Sequence, residues 1–153
     1  MIVSILLFVF SLDQLSKFFI LRQVPFGKSI PILSPFFHLT LVANTGVAFG
    51  LFKGNSNLFI VGGIAILFWI YRFIRKNRVK DLWVRAGLGL VSGGALGNLM
   101  DRLRLGYVVD FLDFRVWPVF NIADSCIFIG TVLFIATCFG KKDFADSKTD
   151  DTD

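Results

Sequence analysis

Hydrophobic residues in this chain are gathered into four long runs separated by more polar segments. The runs cover residues 2–21, 58–74, 82–100 and 122–139. A bilayer core about 30 Å thick requires roughly 20 mainly apolar residues in helical form. The first run has no preceding basic residues and no small-residue cleavage site, so we interpret it as a retained helix and not as a removed signal peptide. The pattern predicts four transmembrane helices.

Composition supports a small integral membrane protein with one domain, which we place over residues 1–142. Of the 153 residues, 55% are hydrophobic and 18% are charged, whereas soluble domains average about 45–50% and roughly 25%. One His and two Cys are too few for a typical structural zinc site. Both cysteines, Cys126 and Cys138, lie in the last apolar run, which argues against a disulfide framework. We expect neither a metal nor a cofactor.

The distribution of Lys and Arg predicts how the helices are oriented. Six basic residues lie within residues 72–85, whereas residues 22–57 and 101–121 hold three each. Because basic residues concentrate in cytoplasmic loops, both termini are predicted inside and the two other connections outside. The basic loop could instead bind nucleic acid or anionic lipid, but this interpretation is weaker because no nucleic-acid motif accompanies the loop. We expect no nucleic-acid partner.

The outer segment 22–57 and the chain end each have a distinct character. Three prolines punctuate the outer segment, and residues 36–43 form a β-branched and aromatic run. This run predicts a short strand or small sheet at the outer membrane surface. We interpret His38 within it as a polar residue without a chemical role. The acidic tail, residues 143–153, has nothing apolar to bury and is predicted to be disordered.

Carboxylates near the membrane helices are unusual and are the residues most informative about function. An Asp at the centre of a membrane helix costs about 2.5–3.5 kcal/mol, so such residues are usually paired, water-facing or functional. The eleven acidic residues are all Asp, and five lie outside the basic loop and the tail: Asp13, Asp101, Asp110, Asp113 and Asp124. Each of the five lies within a predicted helix or just beyond its outer end.

Helical spacing places several polar residues on shared faces. The pairs are Asp13 with Lys17, Asn98 with Asp101, and Asn121 with Asp124. The first pair predicts an ion pair that orients the first helix, and the other two lie near the outer ends of the third and fourth helices. Gly106 permits a turn that returns Asp110 to the same depth. Separate segments therefore deliver carboxylates to one level of the membrane.

The third predicted helix also carries a ridge of small residues. Gly89, Gly93 and Gly97 repeat at a spacing of four residues, with Gly94 beside them. In lipid, such a ridge allows another helix backbone to approach closely. We interpret it as a packing feature.

The carboxylates admit several chemistries, and the residues alone leave them open. A hydrogen-bonded polar plug would join the third and fourth helices without catalysis. An all-carboxylate Mg²⁺ site could form from Asp101, Asp110, Asp113 and Asp124. Two close carboxylates could instead share one proton, as in aspartic proteases, with one acting as base on a water and the other donating to the scissile carbonyl. Residue spacing does not choose between Asp110 and Asp101.

Five motifs together resemble those of bacterial lipoprotein signal peptidase, the type II signal peptidase. They are DQLSK at 13–17, NTGVAFG at 44–50, GGALGNLMDR at 93–102, GYVVDF at 106–111 and FNIADS at 120–125. Each motif is weak alone, but five in order on a four-helix chain of this length are a strong signal. Val47 departs from the pattern, which more often has Ala there.

The resemblance implies a membrane aspartic endopeptidase with Asp110 and Asp124 as its catalytic pair. Its substrates would be prolipoproteins already diacylglycerylated on the Cys after the cleavage site. The motifs further imply a supporting and substrate-binding shell made of Asn44, Gly46, Asn98, Asp101, Arg102 and Asn121, with Asp13 and Lys17 as a structural pair. The family also implies a monomer among the lipids of the bacterial inner membrane, with its site at the outer face.

Two other classes of protein compete with this interpretation. A metal-dependent phospholipid transferase shares a late Gly and two spaced Asp, imitated by Gly106, Asp110 and Asp113, but its upstream D-G-x-x-A-R motif is missing. A small transporter or assembly factor with a polar plug would need no catalysis. A presenilin-like protease would require a G-x-G-D motif, which the chain lacks.

Overall fold

The computed structural model describes residues 1–46, 56–77 and 79–146, with side chains described to residue 138. Four helices carry most of the chain, and a small sheet lies between them in sequence. In chain order the elements are α1 (Ile2–Gln23), β1 (Ser29–Leu33), β2 (Phe37–Asn44), α2 (Ser56–Asn77), α3 (Leu82–Leu105), β3 (Val108–Asp113) and α4 (Ile122–Asp146). Helices α1 and α2 are each long and apolar enough to cross a membrane, and the apolar part of α4, Ile122–Cys138, is shorter.

All four predicted helices are present, and their ends follow from local chemistry. Helix α1 stops at Gln23 because Val24, which precedes a proline, takes an extended conformation. Helix α3 starts after Asp81, whose carboxylate accepts hydrogen bonds from the N–H groups of Trp83 and Val84 at 2.9 and 3.0 Å. It ends at Leu105, where the capping residue Gly106 takes the left-handed conformation that glycine favours, with a φ of 81°.

The C-terminal end of α4 lies further along the chain than the apolar pattern indicates. The helix continues to Asp146, so residues 143–146, predicted to begin a disordered tail, are helical. Extending an existing helix adds one hydrogen bond for each residue ordered, which favours a few further turns beyond the apolar run. Residues 147–153 of the predicted tail lie outside the described residues.

The small β element predicted for the outer segment is present, and the sheet extends beyond that segment. Strands β1 and β2 do lie in that segment, but β3 follows α3 and pairs antiparallel with β2 in the order β1-β2-β3. The sequence VVDFLD gives no alternating signal, because nearly all of β3 is buried. Pairing places Asp110 opposite Val42 and Val108 opposite Asn44.

Helix α3 is the central helix and contacts all three others. Its small residues allow these contacts. A Cβ added at Gly93 would lie 2.7 Å from Val9 Cβ of α1, and one added at Gly94 would collide with the carbonyl oxygen of Ala123 in α4. The glycine ridge is therefore a surface of close backbone approach on two sides of α3.

Replacement of Gly97 tests this packing. Its added Cβ would collide with a carboxylate oxygen of Asp13, so we expect Gly97→Ala to destabilise the fold by about 1–3 kcal/mol, the usual cost of overpacking. Gly62→Ala is the matched control, because a Cβ at Gly62 meets nothing within 4 Å. Thermal unfolding in detergent measures both, and equal melting temperatures for the two variants would contradict the packing role.

Candidate active site

Asp110 is held at the centre of β3 by two amide side chains. Its Oδ1 accepts a hydrogen bond from Asn121 Nδ2 at 2.7 Å, and its Oδ2 accepts one from Asn44 Nδ2 at 2.8 Å. Asn44 ends β2, and its own Oδ1 accepts from the N–H of Gly46 at 3.0 Å, an Asx turn that fixes the direction of the side chain. The sheet therefore fixes the position of Asp110, and the turn after β2 orients the Asn44 amide that donates to it. Residues 47–50 of the predicted motif lie outside the described residues.

Asp124 is held in the first turn of α4 by a reciprocal cap. The N–H of Asn121 donates to Asp124 Oδ2 at 3.2 Å, and the N–H of Asp124 donates to Asn121 Oδ1 at 2.9 Å. This is the geometry of a capping box, in which the first and fourth residues satisfy each other's backbone groups. The other carboxylate oxygen of Asp124 accepts from Asn98 Nδ2 at 2.8 Å.

Asn98 and Asn121 join the two carboxyl groups into one network. Asn121 Nδ2 donates to Asn98 Oδ1 at 3.1 Å as well as to Asp110, and Asn98 Nδ2 donates to Asp124. Both carboxylates line the same cavity, of about 860 Å³. Strand β3 and the start of α4 therefore bring Asp110 and Asp124 to one site, as the motifs imply.

The environment of Asp110 favours its protonated form. Burial raises its pKa most, and the negative charge of Asp124 raises it further. Hydrogen bonds from Asn44 and Asn121 and the charge of Lys17 act in the opposite direction, and the pKa comes to about 7. A carboxyl group that titrates near neutral pH is suited to hold or release a proton during a reaction.

Arg102 supplies a positive charge on the cavity wall. Its guanidinium lies over the ring of Phe59 from α2, 5.0 Å from the ring centroid, and donates to the carbonyl oxygen of Asn98 at 3.4 Å. Stacking on an aromatic face holds the planar guanidinium in one orientation. The cavity therefore presents a cation as well as two carboxyl groups.

Asp101 does not line the cavity and belongs to a buried ionic cluster with Asp13 and Lys17. Lys17 Nζ lies 2.8 Å from Asp13 Oδ2 and 2.7 Å from Asp101 Oδ2. The ion pair expected within the first helix is present, and Asp101 joins it from α3. Gln14, which the sequence analysis did not select, bridges both carboxylates with hydrogen bonds of 3.2 and 3.0 Å.

Asp113 lies on the sheet and faces different partners. Its carboxylate accepts hydrogen bonds from Thr40 Oγ1 at 2.6 Å and from the N–H of Arg115 at 2.9 Å. Burial opposes ionisation, but these bonds and the charges of Arg115 and His38 outweigh it and hold the pKa of Asp113 below its usual range. His38 is buried opposite Asp113 in the register of β2 and β3.

The four carboxylates considered for a magnesium site therefore do not converge. Asp110 and Asp124 line the cavity, the Asp101 carboxylate contacts Lys17, and the Asp113 carboxylate contacts Thr40 of β2. Within residues 1–46, 56–77 and 79–146, no three His, Cys, Asp or Glu residues gather as a metal-binding group.

Apolar walls complete the cavity, and the sequence analysis assigned none of their residues a role in the site. The walls include Val42, Phe59, Ile66, Val108, Trp117, Pro118, Val119, Phe120 and Ile127. They come from five separate parts of the chain. Apolar residues are the rule in this sequence, so only their tertiary arrangement distinguishes those that line the site.

Two solved bacterial membrane enzymes, both determined by the in meso method, are similar to this chain throughout. The first superposes with a TM-score of 0.87 at 33% sequence identity and covers 92% of this chain and 88% of the other. The second superposes with a TM-score of 0.82 at 34% identity and covers 90% of this chain and 91% of the other. The fold is therefore shared with membrane enzymes along nearly its full length.

Sequence comparisons identify the family. A lipoprotein signal peptidase from Halothermothrix orenii is 43% identical over 146 residues, which are 95% of this chain and 100% of the relative. One from Moorella thermoacetica is 46% identical over 132 residues, 83% of this chain and 85% of the relative. The family model described as signal peptidase (SPase) II matches residues 5–140. With its motifs, fold and relatives in agreement, the chain belongs to the signal peptidase II family.

Proposed function

We propose that this chain is a membrane aspartic endopeptidase that removes the signal peptide from diacylglyceryl-modified prolipoproteins, cleaving just before the lipidated Cys. The names of its relatives support the substrate class. The observation that carries the mechanism is that Asp110 and Asp124 line one cavity and share the hydrogen-bond network of Asn98 and Asn121.

In the proposed mechanism the two carboxyl groups hold one proton between them. The ionised carboxylate accepts a proton from water as the water oxygen attacks the scissile carbonyl carbon. The protonated carboxyl group donates its proton to the carbonyl oxygen, which gives a neutral tetrahedral intermediate. On collapse, one hydroxyl group of the intermediate returns its proton to the ionised carboxylate, and the leaving amine of the lipidated Cys takes the proton of the protonated carboxyl group, so that the pair again holds one proton. The pKa of about 7 at Asp110 supports a single shared proton near neutral pH.

The remaining polar groups of the cavity would bind and orient the substrate. Asn44 and Asn121 leave Asp110 little rotational freedom, which keeps the reacting oxygens in place. Arg102, fixed on Phe59, is available to a carbonyl oxygen of the peptide or of the diacylglyceryl esters. Gly46 exposes backbone at the cavity wall without a side chain in the way.

The helices would place this site at the outer face of the bacterial inner membrane. Six basic residues at positions 72–85 join α2 to α3, and the positive-inside rule puts that loop in the cytoplasm. Four spans then leave both termini inside and the sheet outside, beside the cavity. A monomer carries the whole proposed site, since both carboxyl groups come from one chain.

A defined precursor tests this function. We expect the purified protein to cleave a diacylglyceryl-modified precursor and to leave untouched the same precursor without lipid, or with serine in place of its modified cysteine. The released mature product should begin with the lipidated Cys by mass spectrometry.

Chelation separates this function from a metal-dependent transferase. Because the proposed proton transfers use only carboxyl groups, EDTA should leave the cleavage rate unchanged. Loss of activity in EDTA, or equal cleavage of the precursor without lipid, would contradict the proposal.

A further inference from the structure

The ionic cluster of Asp13, Lys17 and Asp101 is almost completely shielded from solvent. These residues are 0%, 2% and 3% exposed. Burying charged groups is costly even when they are paired, and apolar residues of similar volume often join two helices equally well. The contact between α1 and α3 therefore does not by itself account for three buried charges.

The carboxylates of this cluster bind backbone groups next to the proposed catalytic residues. Asp13 Oδ1 accepts a hydrogen bond from the N–H of Ala123 at 3.0 Å, one residue before Asp124. Asp101 Oδ2 accepts one from the N–H of Val109 at 3.1 Å, one residue before Asp110. Each carboxylate thus holds the backbone from which one of the two reacting side chains extends.

Lys17 joins these two supports and adds a third. Its Nζ contacts Asp13 at 2.8 Å and Asp101 at 2.7 Å. It also donates to Asn98 Oδ1 at 3.1 Å. The amide nitrogen of the same Asn98 side chain donates to Asp124. One ammonium group of α1 is therefore linked to the supports of both carboxyl groups in the cavity.

We propose that Asp13, Lys17 and Asp101 form a positioning triad that sets the separation of Asp110 and Asp124 through the backbone of residues 109 and 123. The proposal rests on the proposed function, because it takes Asp110 and Asp124 as the reacting pair. Sharing one proton requires two carboxyl groups at a closely defined separation, and reacting groups generally must be held within about 0.5 Å. Strand β3 and helix α4 come from different parts of the fold, and the triad connects their starting points.

Two isosteric variants test the triad with the same change of charge. Asp13→Asn and Asp101→Asn each leave Lys17 one carboxylate partner. In Asp101→Asn the amide oxygen can take the position of Oδ2, which accepts from both Lys17 and Val109. Asp13 uses Oδ2 for Lys17 and Oδ1 for the N–H of Ala123. Because the amide of Asp13→Asn has one oxygen, one of these two contacts is lost in either orientation of the amide.

We expect these variants to differ in kcat and to agree in KM. Misplacing a reacting group by about 1 Å can cost about 100-fold in rate, which is the loss expected for Asp13→Asn. Asp101→Asn should lose less than Asp13→Asn, because its amide oxygen can keep the Lys17 and Val109 contacts and only the acceptor for Gln14 is lost. The substrate contacts the cavity and not the triad, so KM should change little in either variant.

The charge of Lys17 provides a second readout through the pH profile. The charged groups around the pair in the described part of the chain are Asp13 and Lys17 of α1, Asp101 and Arg102 of α3, Asp110 of β3 and Asp124 of α4. Lys17 lowers the pKa of Asp110, so Lys17→Met should shift the alkaline limb of the profile to higher pH. Val9→Ala is the control, because it loosens the same helix contact at Gly93 without touching the triad. It should lower the melting temperature and leave kcat and the pH profile unchanged.

The outcomes separate this proposal from the proposed function. A parental kcat in folded Asp13→Asn, or equal loss of folded protein in Asp13→Asn and Asp101→Asn, would overturn the triad, as would an unshifted profile in folded Lys17→Met. Persistent cleavage by Asp110→Asn or Asp124→Asn would instead overturn the proposed function. A larger loss of kcat in Asp13→Asn than in Asp101→Asn, together with inactive Asp110 and Asp124 variants, supports both.

Discussion

Asp110→Asn and Asp124→Asn are each expected to stop cleavage of a diacylglyceryl-modified precursor. An amide can neither accept the proton of the attacking water nor donate a carboxyl proton to the carbonyl oxygen. Loss of general acid–base catalysis typically costs 10²–10⁴-fold, and each variant removes a group that takes part in both proton transfers. We therefore expect kcat to fall by about 10³-fold or more, measured as mature product formed under single-turnover conditions.

Asp113→Asn is the matched control for these two variants. It makes the same substitution three residues further along β3, where the carboxylate contacts Thr40 and Arg115 and does not face the cavity. Cleavage by this variant should remain near the parental rate. If Asp110→Asn cleaved as fast as Asp113→Asn, the assignment of Asp110 to the reacting pair would be wrong.

Cleavage should also decline as pH rises through about 7. Burial and the charge of Asp124 raise the pKa of Asp110 to about 7. In the proposed mechanism this pKa describes the loss of the one proton that the two carboxyl groups share. Below that pH the single shared proton is present and can be donated to the carbonyl oxygen. Above it the pair is doubly ionised, and kcat/KM should fall by about tenfold for each further pH unit.

Asn44→Ala should move this alkaline limb to higher pH. The Asn44 amide stabilises ionised Asp110 and so lowers its pKa, and removing the amide raises the pKa. The pH profile of kcat/KM measures the shift. Asn77→Ala is the control and should not move the profile, because the exposed Asn77 side chain of α2 donates to the carbonyl oxygen of Phe73 within its own helix. A limb that stays in place in Asn44→Ala would show that Asp110 does not control it.

Local sequence patterns predicted the helices because each helix depends on its own composition and spacing. The apolar runs predicted α1 to α4, and polar pairs three or four residues apart, such as Asn121 with Asp124, predicted shared faces. Strand β3 was missed for a related reason. Its residues are buried on both faces, so the alternation that identifies a strand is absent, and its partner β2 lies more than 60 residues earlier in the chain.

The sequence by itself determined the helical regions, the shared faces of the polar pairs and, through five motifs, the family resemblance. Only the tertiary structure decided which carboxylates face one another. Asp101 and Asp110 are the same residue type and lie close in sequence, but Asp101 turns toward Lys17 while Asp110 turns toward Asn44 and Asn121. These contacts depend on strand pairing and helix packing between distant segments, because a side chain's partner is set by the elements around it and not by its neighbours in sequence.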